Sequence, residues 1–327
     1  MDRQEIRRLL MERYRRIRDP EMRSVLRVQD EILSALRDFL RRNGFVEILA
    51  PIIGPVTDPG IRGAKQVSVD FYGHEFKIMS SMILYKQMAV SSLERVFALS
   101  PNVRLEPLES IETGRHLSEF RQIDLEVANA SYFDVMDIGE RMVIYTCRRI
   151  REACRDELLL LERDLKVPSV PFRKMTHEEA VELLRSEGYK VNKGDEIPWV
   201  AEEAISRMFD EPFWIYDYPM TARGFYDRED PKRSGILRDF DLIYPEGFGE
   251  AISGGEREFQ LERVMARMRS NGEDPGAYGW YLEMLREGIS PSAGFGIGVE
   301  RFTRYVCGLE KIWEAVPFPK VPGIVSP

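Results

Sequence analysis

Cysteine is scarce in this chain. Only Cys147, Cys154 and Cys307 occur in 327 residues, and none stands in a Cys-x-x-Cys pair. The three histidines are scattered. A structural zinc site and a disulfide framework are thereby excluded, and unpaired thiols of this kind fit a reducing, cytoplasmic compartment. No apolar run approaches the ~20 residues that cross a bilayer. The charged N-terminus lacks the apolar stretch of a signal peptide. Lysine is rare beside arginine, which suits surface ion-pair networks. There is no internal repeat and no low-complexity linker. Positive charge is also in deficit, with a formal net of −8, whereas a protein built to hold RNA usually shows a basic face. Residues 1–42 depart from that average, with twelve Arg against eight Asp or Glu. We read them as the solvated faces of two helices.

What is present is a large apolar fraction, 43%, enough for a sizeable core. Residues 3–18 read as a short amphipathic helix ended by Asp19-Pro20. Residues 21–42 read as a longer one, with Val25, Val28, Ile32, Leu36, Phe39 and Leu40 on one stripe and Asn43-Gly44 as its stop. A short strand at residues 45–49 leads into a Gly/Pro-rich loop. A hairpin follows over 71–79, turning at Tyr72-Gly73, and Ser80 or Ser81 can cap a helix reaching Ser91. Strands are expected at 96–100, 103–106 and 122–128, then a long helix over 131–165 capped by Ser131. Residues 167–233 read as an insertion of mixed α/β character. Strands return at 237–244 and 249–253, helices at 258–270 and 275–287, and a glycine-rich strand-to-helix junction closes the chain at 292–308. Strands dominate the centre and helices the flanks, so the expected class is α+β, an antiparallel sheet packed by helices.

Three constellations carry chemistry. In the first, Arg104 and Glu106 share one strand face, and the polar stretch Arg115-His116-Leu117-Ser118-Glu119-Phe120 follows. An arginine there can fork onto a phosphate and an aromatic can stack on a base. In the second, Asp241, Glu250 and Ser253 offer hard oxygen ligands for Mg²⁺. Gly254-Gly255 allows close approach of a ligand to backbone, and Arg257 adds a cation. In the third, Gly294-Phe295-Gly296-Ile297-Gly298 clears a strand face for a flat ligand, and Arg301 opens the following helix. Its spacing is not that of a dinucleotide fingerprint, and no parallel strand follows, so hydride transfer is a poor reading. Alone, each would also suit a charged hairpin, a bulged strand or a tightly packed strand.

Taken in chain order, the helix and strand ending at Pro51, the stretch Arg104 to Glu126 and the stretch Gly294 to Arg301 resemble motifs 1, 2 and 3 of class II aminoacyl-tRNA synthetases. The likeness is nearest to the aspartyl/asparaginyl/lysyl subgroup, through Leu84-Tyr85-Lys86-Gln87, Arg115-His116-Leu117, residues 122–126, Phe240-Asp241-Leu242 and residues 250–257. Within it, the chain resembles archaeal asparagine synthetases related to asparaginyl-tRNA synthetase. The resemblance implies ATP and Mg²⁺. It places Arg104, Glu106, His116, Glu119, Phe120, Glu250, Gly298 and Arg301 around ATP, with Arg104 on the α-phosphate, Arg301 on the γ-phosphate and Phe120 on the adenine. Asp241, Glu250 and Ser253 would hold the metal. Lys86 and Arg257 would grip the side-chain carboxylate of L-aspartate, with Asp58, Asp124, Ser81, Gly254 and Gly255 completing its pocket. Arg104, Arg301 and Lys86 would carry the catalysis.

Two departures, Ser81-Met82-Ile83 and Thr57-Asp58-Pro59-Gly60, fall where the subgroup carries Ser-Pro-Gln and Glu-Gly-Gly. Motif 1 starts by about residue 22, so the expectation is a single catalytic domain over 1–327 with no anticodon-binding domain. The expected acceptor of the adenylate is then ammonia rather than tRNA, giving asparagine, AMP and pyrophosphate. The alternatives are transfer to a tRNA or a protein lysine, and a non-catalytic regulator that binds aspartate. By the same resemblance the protein is a homodimer, with Val25, Val28, Ile32 and Leu36 at the interface or in the core behind it.

Overall fold

The computed structural model of the protein describes residues 3–60 and 63–327. Helices α1 (Arg3–Met11), α2 (Arg13–Arg16) and α3 (Pro20–Arg42) open the chain. Pro20 stands in the first turn of α3, where its missing N–H costs nothing, and Gly44 adopts φ +79° beyond its end. Strands β1 (Val46–Glu47), β2 (Ile53–Gly54), β3 (Ser68–Phe71) and β4 (His74–Ile78) follow, the last two forming the expected hairpin. Next come α4 (Ile83–Ala89), β5 (Arg95–Val103), β6 (Glu119–Ala128), α5 (Tyr132–Ala153) and α6 (Arg155–Leu160). Ser131 and Asp134 form a reciprocal capping box at the start of α5. The strand expected over 96–100 is β5, which runs on to Val103, and the separate strand expected over 103–106 is not formed, so Arg104 and Glu106 lie past its end. The single helix expected over 131–165 is broken at Cys154.

Residues 167–233 hold β7 (Arg173–Thr176), α7 (His177–Ser186), α8 (Trp199–Arg207) and β8 (Phe213–Tyr216). After them come β9 (Asp239–Tyr244), β10 (Gly249–Glu256), α9 (Leu261–Ser270), α10 (Gly279–Glu287), β11 (Ser292–Gly298) and α11 (Val299–Cys307). Eight strands make one sheet in the order β1-β5-β6-β11-β10-β9-β8-β7. Its pairs are antiparallel except β1 with β5 and β7 with β8 at the two edges. The class is α+β, as expected. The segment over 167–233 is not a separate appendage, however. It extends the sheet by two strands and brings its own core, in which Val181, Leu184, Ile205 and Phe213 are buried.

Alternation along β6 divides the molecule. Ile123, Leu125 and Val127 face the main core with α3, α5 and α11, while Gln122 and Asp124 face a cleft on the other side of the sheet. Val28, Ile32 and Leu36 are fully buried in that core, and Val25 is 2% exposed. The stripe therefore packs against the protomer's own sheet and presents no dimer face. We expect Ile32→Ala to cost about 2–5 kcal/mol in urea denaturation, with the same loss at every protein concentration. A loss that shrinks on concentration would place Ile32 at an interface.

Candidate active site

The cleft is a cavity of about 620 Å³ above the centre of the sheet. Its floor is built by β6, β11 and β10. The segments at 58–60, 81–86, 104–120, 196–202 and 221–227 contribute to its walls. Most residues named from sequence meet here although they lie up to 243 positions apart, from Asp58 to Arg301.

At the centre is a buried ionic chain. Lys86 Nζ donates to Asp124 Oδ1 at 2.9 Å and to the Phe295 carbonyl at 3.0 Å, and lies 3.9 Å from Glu126. Arg257 Nε donates to Glu126 at 3.1 Å, its Nη1 to Asp227 at 3.1 Å and its Nη2 to the Gly294 carbonyl at 2.8 Å. Ser100 Oγ donates to Asp124, and Ser292 Oγ to Glu126. Burial pushes the Asp227 carboxyl up, against the pull of Arg257. The two cations are therefore not vacant, as the aspartate reading required. Three carboxylates already surround them.

The glycines serve this arrangement. A Cβ on Gly294 would lie 2.0 Å from Glu126 Oε2, so the glycine makes room for a protein carboxylate. A Cβ on Gly254 would meet the Gly294 carbonyl at 2.3 Å, and one on Gly255 the Arg238 carbonyl at 2.8 Å. Gly254 lines the cleft, but the lack of Cβ at both positions serves strand packing rather than ligand approach. Gly296 and Gly298 line the cleft as expected.

On the motif 2 side, Arg104 and Glu106 stand just beyond the end of β5 and both line the cleft. Arg104 Nε donates to the Ser80 carbonyl at 3.1 Å, and its guanidinium lies 5.1 Å over the Phe120 ring. His116 Nδ1 is 2.9 Å from Thr113 Oγ1. Burial, with Arg301 and Arg115 nearby, pushes the His116 ring down to about 3, so it is neutral at physiological pH. Glu119 departs from expectation. It is exposed, pairs with Arg121 at 2.9 Å and takes no part in the cleft wall. Asp58 accepts from Gly60 N and from the Tyr226 hydroxyl, both at 2.8 Å. Ser81 Oγ caps Ile83 N at 3.2 Å and borders the cleft.

Arg301 Nη1 bonds Glu250 Oε1 at 3.0 Å. Glu250 and Ser253, three residues apart, would face opposite ways on a regular strand. The register of β10 against β9 shifts between Glu250 and Ile252, and this bulge lets both border the cleft. Asp241 does not join them. It is buried on β9, where Arg223 Nη2 bonds its Oδ2 at 2.6 Å. Among the described residues no group of three or more His, Cys, Asp or Glu could hold a metal ion. A Mg²⁺ ion needs only one or two protein carboxylates when phosphates supply the rest. Glu250 fits that role and Asp241 does not.

Sequence reasoning missed the part of the wall built by residues 196–227. Glu196, Trp199, Arg223 and Tyr226 line the cleft, and Glu202 there pairs with Arg115. No local signal marked them, because their place depends on how 167–233 docks.

A family model described as tRNA synthetases class II (D, K and N) matches residues 5–322. The chain belongs to this family. It is an ATP-dependent ligase, and the family's cofactors are ATP and Mg²⁺. The chain is similar to asparagine–tRNA ligase of Pyrococcus abyssi, 34% identical over 98% of this chain and 73% of that one. It is also similar to asparagine–tRNA ligase of Pelotomaculum thermopropionicum, 35% identical over 93% and 70%. Among solved structures, asparaginyl-tRNA synthetase from Pyrococcus horikoshii complexed with asparaginyl-adenylate superposes with a TM-score of 0.92. It shares 33% identity over 98% of this chain and 73% of that chain.

These relatives overturn two expectations, ammonia as the acceptor and the exclusion of tRNA. Both were inferred from the position of the first motif, whereas the residues present match tRNA ligases almost end to end. Among the described residues, no helix is long and apolar enough to cross a membrane.

Glu300 ties motif 3 to motif 2 by accepting Arg121 N on both carboxylate oxygens at 3.0 Å. Burial raises its carboxyl to about 7 from 4.5. Between those values the folded chain keeps a proton that the unfolded chain releases, so its contribution to stability falls as pH rises through the window. Glu300→Gln removes that titration. Its stability relative to wild type is expected to rise by on the order of 1 kcal/mol per pH unit within the window, read from denaturation curves at successive pH values. A pH-independent difference would mean that Glu300 stays ionised in the fold.

Proposed function

We propose that this protein adenylates asparagine with ATP and passes the asparaginyl group to tRNA. The observation that carries the reading is the charge balance at the buried centre of the cleft. Lys86 and Arg257 face Asp124, Glu126 and Asp227. Aspartate would bring a fourth carboxylate into a site that already holds one more anion than cations, at a high desolvation cost. An amide side chain carries both a donor and an acceptor. It can bond a carboxylate and a guanidinium of this set without adding charge. The excess negative charge suits the amino acid's α-ammonium, for which Asp58 and Asp124 are the nearest candidates. The names of the relatives support the same amino acid and the same acceptor.

The reaction needs no covalent bond to the protein. A carboxylate oxygen of the amino acid attacks the α-phosphorus and pyrophosphate leaves. The terminal ribose hydroxyl of tRNA then attacks the carbonyl carbon and AMP leaves. The protein supplies alignment and charge. Arg104 is assigned to the α-phosphate, where charge develops, and Phe120 beneath it to the adenine. Arg301, held by Glu250, is assigned to the terminal phosphates. The neutral ring of His116 adds hydrogen bonding without charge. Mg²⁺, bound through Glu250 and the phosphates, would offset the phosphate charge. Glu106 borders the same region.

Pyrophosphate exchange tests the first step, and asparagine is expected to support it at least about 100-fold better than aspartate. Exchange with aspartate alone would overturn the amino-acid assignment. Exchange with asparagine, but no charging of tRNA from the same organism, would overturn the acceptor. Arg104→Ala should lower exchange by about 10²–10³-fold with an unchanged melting profile, and near wild-type turnover would remove Arg104 from the α-phosphate.

A further inference from the structure

The arginines over residues 3–18 are exposed, with one exception. Arg13, at the start of α2, is only 5% exposed. Its Nη2 donates to the carbonyls of Trp313 at 3.0 Å, Glu314 at 3.1 Å and Val316 at 2.9 Å, and its Nε to that of Val316 at 3.2 Å. Gln29 of α3 donates to the Ala315 carbonyl between them at 3.0 Å. These carbonyls stand at the end of the 3₁₀ helix Ile312–Ala315, where a helix leaves its acceptors without partners of its own. Burial and nearby Arg16 lower the Arg13 guanidinium to about 10, so it stays charged at neutral pH.

What Arg13 holds reaches the cleft. Ile312 lines the cleft, and its N–H donates to the Gly114 carbonyl at 2.8 Å. Ser118 N–H donates to the Lys320 carbonyl at 2.7 Å. The motif 2 loop is thus tied at two points to the segment that follows α11. An apolar cluster separate from the main core joins the same parts. Ile6 and Leu10 of α1, Ile111 and Leu117 of the loop, and Ile312 and Trp313 are buried together, and Phe120 packs against them while lining the cleft. We propose that Arg13 is a positioning residue of the ATP site, fixing the 3₁₀ helix at 312–315 and through it the motif 2 loop next to His116 and Phe120. It acts through these residues and touches no substrate. Lys86, Glu126 and Arg257 at the amino-acid end lie outside this cluster, so the effect of Arg13 falls on ATP. The proposal rests on the reading of the cleft as an ATP site.

Pyrophosphate exchange and amide hydrogen exchange of the full-length protein test this together. In Arg13→Met the KM for ATP is expected to rise by about 10-fold or more, while the KM for asparagine stays within about 2-fold of wild type. Amides over 107–118 should exchange at least about 10-fold faster, read by mass spectrometry, with those of β10 and β11 unchanged. Arg13→Lys keeps the charge but spans fewer of the carbonyls, so both readings should fall between those of Arg13→Met and wild type. A folded Arg13→Met with a wild-type KM for ATP would overturn the proposal. A rise in both KM values together with faster exchange across β10 and β11 would do the same, since it marks a general loss of stability. If Arg13→Met does not fold, Arg13→Lys decides, and a wild-type KM for ATP in that variant refutes the positioning role. Calorimetry of ATP binding to the wild type keeps the two readings apart, because a wild type that binds no ATP would remove the ATP site itself.

Discussion

The chain of buried charges that runs from Asp124 through Lys86, Glu126 and Arg257 to Asp227 is the constraint around which the cleft is arranged. Each member is nine-tenths buried or more, and breaking a buried pair by removing one partner leaves an uncompensated charge. Its members come from α4, β6, the segment before β9, and the end of β10. The chain therefore ties together four parts of the sequence. Gly294 is part of the same constraint, since a side chain there would collide with Glu126.

That constraint shapes the chemistry. Cations already paired inside the protein select a ligand by the exact balance of donors and acceptors, not by bulk attraction. At the centre, on the function proposed above, this turns the preference from an anionic toward an amide side chain. At the edge the same logic recurs, with Arg223 paired with Asp241 and Asp239. The cations at the phosphate end differ in placement. Arg104 lies over Phe120, and Arg301 bonds Glu250 at the cleft border. On the function proposed above, paired charges close the amino-acid end and Arg104 and Arg301 border the phosphate end.

Much of the fold was legible in local chemistry. The turn at Tyr72-Gly73, the cap at Ser131, the stop at Asn43-Gly44 and the period of α3 are written in short windows, and each stands where expected. Of the two placements expected for the stripe of Val25, Val28, Ile32 and Leu36, interface or core, the fold takes the core. Errors arose where a window cannot see its neighbours. Gly254 and Gly255 announce a close approach, but the approaching groups are the neighbouring strands. Glu119 shares its stretch with Phe120, yet points to solvent.

By itself the sequence determined the α+β class, the family and most of the residues that meet in the cleft, because motif order and periodicity are properties of the chain. Only the tertiary structure decided how those residues are paired. Lys86 and Arg257 are two free cations on paper and two neutralised ones in the fold. Asp241 is a metal ligand by type and an arginine partner by position. Pairing depends on which side chains a sheet brings within about 3 Å of one another, and here the partners stand 38 positions apart for Lys86 with Asp124 and 131 for Arg257 with Glu126.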